Sequence, residues 1–204
     1  MDTAKDTTQS STSVGKKIRR IGVALVVLLA AAYALFLAFF PKALLMKASP
    51  IEASAIYRTT VSAAKSLLVF EGLPHQSVEP VLLATELKRK DTTEIWNFPF
   101  YTPSIEATNA DDLRKLLSNP ASLAVYAGPK LCGGYHPDFC ISWQAGKVKY
   151  YALICFGCHE IVLYDGKTSL IYDLETAAYK EFQQLLAQYR TKRPERIRNE
   201  PHSK

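Results

Sequence analysis

The feature that most constrains this chain is a run of 20 uncharged residues at positions 21–40, IGVALVVLLAAAYALFLAFF. At about 1.5 Å of rise per residue, a helix of that length crosses the hydrocarbon core of a bilayer. The preceding segment, KKIRR, holds four basic side chains, whereas only Lys42 and Lys47 follow closely. Because basic residues favour the cytoplasmic side, we expect a single-pass inner (plasma) membrane protein with residues 1–20 in the cytoplasm. Everything after the span is then periplasmic or extracellular.

A cleaved signal peptide is the alternative interpretation, because Ala53-Ser54-Ala55 has the small-x-small form of a cleavage site. That triplet falls well past the apolar run. The run is also longer than the core of a signal peptide, which has about 7–15 residues. Both lengths favour a transmembrane helix that stays in place as an anchor.

Charge is unevenly distributed along the 204 residues. Residues 50–189 hold 12 basic and 15 acidic side chains, a charge of −3, so the net charge of +6 belongs to the two ends. A weakly acidic body lacks the basic surface that nucleic-acid binding needs, and we expect no such partner. The basic segment 191–204 is expected to be a solvated tail. Its alternative role is contact with anionic lipids or other acidic envelope polymers.

The first half of the exported part shows mainly helical patterns. Ser49-Pro50-Ile51-Glu52 is typical of a helix start, and apolar residues follow at helical spacing through Leu68 to a stop at Gly72. Two further helices are predicted at residues 77–88 and 109–118, with extended structure at 92–105 between them.

The second half shows strand patterns. Short β-branched or aromatic runs occupy residues 123–126, 139–143, 148–155, 160–164 and 169–172, with turn signals between them. Consecutive strands with short connections predict an antiparallel meander. Asp173 is expected to cap a final amphipathic helix that covers the sheet. The prediction is therefore one α+β domain at residues 50–190.

The cysteines are the main chemical feature. All four lie within 27 positions, accompanied by two of the four histidines; the set is Cys132, Cys140, Cys155, Cys158, His136 and His159. An oxidising exterior makes a structural disulfide the first expectation, although four cysteines allow three pairings. Zinc is a second possibility, with Cys132, His136, Cys155 and Cys158 as ligands of the types that a tetrahedral site uses. The second C-x-x-C pair of most such sites is missing.

A third possibility is redox chemistry at the sequence CFGCH. Cys155, Cys158 and His159 match the C-x-x-C-H attachment signature of c-type haem, for which His136 or His75 would supply the sixth ligand. The same C-x-x-C resembles a thiol-disulfide active site. Both alternatives are weakened by the strand patterns on either side, because these chemistries usually use helical flanks.

His136-Pro137-Asp138 has two interpretations. It could form a proton relay beside a cysteine nucleophile, but we expect a turn in which Asp138 makes a local hydrogen bond. His75 is similarly expected to be a loop residue. No phosphate-binding glycine loop, nucleophile elbow or H-E-x-x-H motif is present in the sequence.

Three segments together, LVFEGLPH at 68–75, CGGYHPD at 132–138 and CFGCHE at 155–160, resemble a group of uncharacterised bacterial envelope proteins. The resemblance covers most of the exported part and implies a bacterial setting and a single domain, without implying an activity. We therefore expect a binding or structural module of the envelope, stabilised by its cysteine and histidine cluster and free of cofactor. The alternative is a thiol-disulfide or haem redox protein.

Overall fold

A computed structural model describes residues 48–194. The predicted membrane span at 21–40 and the end of the basic tail lie outside these residues. Within residues 48–194, no helix combines the length and apolar character needed to cross a membrane. The described part is an α+β fold with an antiparallel sheet covered by helices, as predicted.

The chain forms four α-helices and nine strands within its described part. The helices are α1 (Ala55–Ser62, after a 3-10 turn at Ile51–Ser54), α2 (Pro80–Arg89), α3 (Ala110–Ser118) and α4 (Thr176–Leu186). The strands are β1 (Leu68–Glu71), β2 (Thr92–Ile95), β3 (Phe98–Tyr101), β4 (Ile105–Glu106), β5 (Leu123–Val125), β6 (Phe139–Ala145), β7 (Val148–Cys155), β8 (Glu160–Tyr164) and β9 (Ser169–Leu174).

Seven strands form the main sheet in the order β4-β1-β6-β7-β8-β9-β5, and every pairing is antiparallel. Its centre, β6 to β9, is the predicted meander, and the bounds of β7 and β8 match the prediction. The prediction of one helix that continues to Gly72 is wrong for its second half, because α1 ends at Ser62 and Leu68 begins β1. Burial against β6 outweighs the helical spacing there.

Both faces of the sheet are buried. Because successive side chains of a strand point to opposite faces, each strand contributes side chains to both. One face packs against α1, α3 and α4, with Ile141, Ile154 and Tyr172 among the strand residues involved. The other carries Cys140, Leu153, Val162 and Ile171 in one row, because the register pairs each with the next. Aromatic residues of the β2-β3 hairpin and the 126–138 segment cover this second face.

Asp173 does not cap the last helix. It lies inside β9, where its carboxylate accepts hydrogen bonds from the Ala127 amide at 3.1 Å and the Lys130 ammonium at 2.7 Å. Lys130 also contacts Glu160 on β8 at 3.3 Å. These contacts fasten the long loop before β6 to the sheet, and this loop carries the first cysteine.

Candidate functional site

A cavity of about 370 Å³ lies at the end of the sheet where β1 and β7 finish. Three loops and the C-terminal segment form its wall. The side chains used below are His75 and Glu79 after β1, Cys132, His136 and Asp138 before β6, Cys155 at the end of β7, and Arg190 and Arg193 after α4. Segments far apart in sequence therefore meet around one space.

The disulfide prediction is confirmed for one pair, Cys132 and Cys158, which are 26 positions apart. The bond ties the 126–138 segment to the turn between β7 and β8. Cys140 and Cys155 are free thiols, and both are buried. Cys140 lies in the core of the second sheet face, whereas Cys155 lines the cavity.

Cys155 is held by the turn that follows it. The backbone N–H of Cys158 donates a hydrogen bond to the Cys155 sulfur at 3.3 Å. Burial raises the pKa of this thiol to about 11, with a smaller contribution from the Asp138 charge, although backbone N–H groups of His136 and Cys158 oppose the shift. The thiol is therefore protonated at neutral pH.

Two imidazoles lie side by side in the wall, with the ring centroids of His75 and His136 4.7 Å apart. The Ser77 amide donates to Nδ1 of His75 at 3.1 Å, so Nε2 carries the proton and donates to the Gly134 carbonyl at 3.3 Å. Burial is the main cause that lowers the pKa of His136 to about 4. The His136 ring is therefore neutral at physiological pH.

Asp138 connects the turn after β7 to the C-terminal arginines. One carboxylate oxygen accepts from the Phe156 amide at 2.8 Å. The other accepts from Arg190 at 3.3 Å and from Arg193 at 3.2 Å. The local hydrogen bond expected for Asp138 is thus replaced by contacts across the fold.

The described part of the basic C-terminal segment is not a solvated tail. The carboxylate of Glu71, at the end of β1, accepts backbone hydrogen bonds from Thr191, Lys192 and Arg193 at 2.7–3.0 Å. The Arg193 guanidinium donates to Glu79 at 2.7 Å. We call residues 190–194 the strap, because these contacts hold them across the cavity wall.

Some predicted site residues lie elsewhere. The His159 ring stacks on Tyr179 of α4, with centroids 3.8 Å apart, and is absent from the cavity wall. Cys132 and Cys158 share a disulfide, and no group of three or more His, Cys, Asp or Glu in residues 48–194 is arranged to hold a metal ion. The zinc and haem interpretations stay predictions, for a chain in which this disulfide is reduced.

Sequence reasoning missed Glu71, Glu79, Arg190 and Arg193. Glu71 belongs to the LVFEGLPH segment, but the sequence does not link that segment to a site; Glu79 and Arg190 belong to no motif, and Arg193 lies in the predicted charged tail. Only the pairing of β1 with β6, which places Glu71 opposite Phe139, shows how these residues meet.

No family model, curated protein or solved structure matches this chain. The side chains around the cavity are therefore the main indication of function. The resemblance to bacterial envelope proteins stays a prediction.

Proposed function

We propose that this chain is a membrane-anchored binding module of the bacterial envelope, with residues 21–40 as its anchor and residues 50–190 as its extracytoplasmic domain. The 20-residue apolar run and its basic N-terminal flank support this topology. The disulfide between Cys132 and Cys158 is consistent with it, because disulfides persist in oxidising compartments.

The observation that carries the binding role is the cavity itself. Its volume, about 370 Å³, lies in the range of small-molecule sites. Its wall has charges of both signs, from the guanidinium groups of Arg190 and Arg193 and the carboxylates of Glu79 and Asp138. A ligand that carries both charges suits this wall better than a simple anion or cation.

Arg190 and Arg193 have more N–H donors than the hydrogen bonds described above use. Each guanidinium has five N–H donors, yet the bonds of Arg190 and Arg193 to Asp138 are single and, at 3.2–3.3 Å, longer than the usual charge-assisted bond. Nη1 of Arg190 is buried without a hydrogen-bond partner, 3.7 Å from the Glu71 carboxylate, and Arg193 makes one short bond, to Glu79 at 2.7 Å. We infer that a ligand carboxylate binds the arginines while its ammonium group faces the carboxylates. Free amino acids and short peptides have this chemistry.

Isothermal titration calorimetry of the full chain in detergent micelles tests this binding role. The probes are L-alanine and L-alanyl-L-alanine. We expect at least one probe to bind, and Arg193→Gln to weaken that binding by about tenfold through loss of a charge-assisted contact. Arg58→Gln is the matched control, because Arg58 lies on α1 outside the cavity wall. Absence of binding, or binding that Arg193→Gln leaves unchanged, would contradict the proposal.

Protease accessibility tests the topology. Protease added to sealed spheroplasts should digest the domain at residues 50–190 and leave the anchor with its cytoplasmic end. A domain that is protected until the membrane is permeabilised would show that the predicted orientation is wrong.

A further inference from the structure

At the cavity, a free thiol lies against the backbone of one of the two disulfide cysteines. The disulfide joins Cys132 to Cys158, and Cys155 is the free thiol. The Cys155 sulfur is 3.3 Å from the backbone nitrogen of Cys158, and both Cys132 and Cys155 line the cavity. A thiol beside a disulfide is the reactant pair of thiol-disulfide exchange.

We propose that these residues form a thiol-disulfide exchange site, in which the sulfur of Cys155 attacks that of Cys158 and releases Cys132. The Cys155–Cys158 bond forms as the Cys132–Cys158 bond breaks. Cys155 gives up its proton to solvent and the Cys132 thiolate takes one up, so the exchange is balanced and needs no oxidant. This inference goes beyond ligand binding and does not depend on it.

The released Cys132 is placed to react with other molecules. It is half-buried in the present disulfide, and its neighbour Leu131 is fully exposed. Lys130 keeps this part of the loop at the surface through its contacts with Asp173 and Glu160. We therefore assign external disulfides as the substrate class. The Cys132 thiolate would displace one sulfur of such a disulfide and form a mixed disulfide with the other.

Tryptic peptides distinguish the two disulfide states. Cleavage after Lys130 and Lys147 yields residues 131–147, with Cys132 and Cys140, and cleavage after Lys149 and Lys167 yields residues 150–167, with Cys155 and Cys158. The Cys132–Cys158 bond links these peptides without reductant. The Cys155–Cys158 bond lies within the second peptide and leaves the first one free.

The experiment incubates the folded full chain with iodoacetamide in mildly alkaline buffer, followed by acid quench and non-reducing digestion. We expect alkylation of Cys132 together with a disulfide inside peptide 150–167. A second sample receives oxidised glutathione as a disulfide probe and should carry glutathione on Cys132. Alkylation of Cys155 with the original disulfide intact, or glutathione on any other cysteine, would overturn the proposal.

Two variants complete the test. Cys155→Ser removes the attacking sulfur and should lower Cys132 alkylation by about tenfold or more. Cys140→Ser is the matched control, because Cys140 is an equally buried thiol that does not line the cavity, and it should leave alkylation unchanged. Equal alkylation of Cys132 in wild type and Cys155→Ser would overturn the proposal. If Cys155→Ser fails to fold, the wild-type chain still tests the proposal, because the label on Cys132 supports the exchange and the label on Cys155 contradicts it.

Discussion

Glu71→Gln tests whether a buried carboxylate holds the strap. Glu71 is 4% exposed, and it accepts backbone hydrogen bonds from Thr191, Lys192 and Arg193. A glutamine keeps one carbonyl oxygen but turns an N–H₂ group toward backbone donors, so at least one of these bonds is lost. It also removes the charge that faces Arg190 at 3.7 Å.

These contacts set the expected loss in the free energy of strap opening. A hydrogen bond to a charged group contributes about 1.5–3 kcal/mol, and breaking a buried ion pair costs about 3–5 kcal/mol. Because one glutamine oxygen still accepts and the Arg190 side chain is 31% exposed, we expect a loss of about 3 kcal/mol in the opening free energy of the strap. At about 1.4 kcal/mol per factor of ten, this loss corresponds to about 100-fold faster amide exchange.

Hydrogen-deuterium exchange of the full chain in micelles measures this effect. The 191–193 amides should exchange about 100-fold faster in Glu71→Gln, while amides of β6 and β7 stay protected. Glu106→Gln makes the same chemical change at an exposed residue of β4 and should alter nothing. Unchanged exchange at 191–193 in Glu71→Gln would refute the claim that this carboxylate holds the strap.

Three further predictions concern residues in the cavity wall or next to it. Gly72→Ala would drive a Cβ into the Pro137 carbonyl and should destabilise the fold by about 3 kcal/mol in denaturant unfolding, whereas the Cβ of Gly157→Ala meets nothing within 4 Å and should not destabilise it. Neutral His136, with its pKa lowered to about 4, should cause a stability loss as pH falls from about 6.5, the usual pKa, toward 4, because the unfolded chain binds that proton first. The His136→Gln variant should lack this part of the pH slope; an identical slope would contradict the assignment. Alkylation of Cys132 should rise about tenfold per pH unit from 7 to 10, because the exchange that releases it needs the Cys155 thiolate, which forms with a pKa of about 11; a plateau below pH 9 would contradict this.

Local patterns predicted the centre of the sheet. The runs that became β7 and β8 are rich in β-branched and aromatic residues and are bounded by turn signals, so propensity and burial agree there. Strand β1 was missed because three of its four residues are buried, which removes the alternation that marks a strand. Its neighbour β6 decides its conformation, and that pairing spans about 70 positions of sequence.

The candidate site was predicted only in part. Clustering of the cysteines indicated a disulfide, but the pairing of Cys132 with Cys158 depends on the register of β6, β7 and β8 and on the loop fastened by Lys130. Sequence spacing contains neither piece of information. The strap was missed for the same reason, because a buried carboxylate such as Glu71 looks like a surface residue until its strand is placed.

Asp138 makes the strap and the exchange site parts of one assembly. One of its carboxylate oxygens binds the Phe156 amide, inside the turn that carries Cys155 and Cys158. The other binds Arg190 and Arg193 of the strap. If the proposed Cys155–Cys158 bond forms, the turn that contains Phe156 must rearrange, and Asp138 is the direct contact between that turn and the arginines. Because the same arginines provide the proposed carboxylate site, the two proposals together predict that the disulfide state of the turn and the affinity of the cavity for a ligand are thermodynamically linked, each altering the other by the same factor.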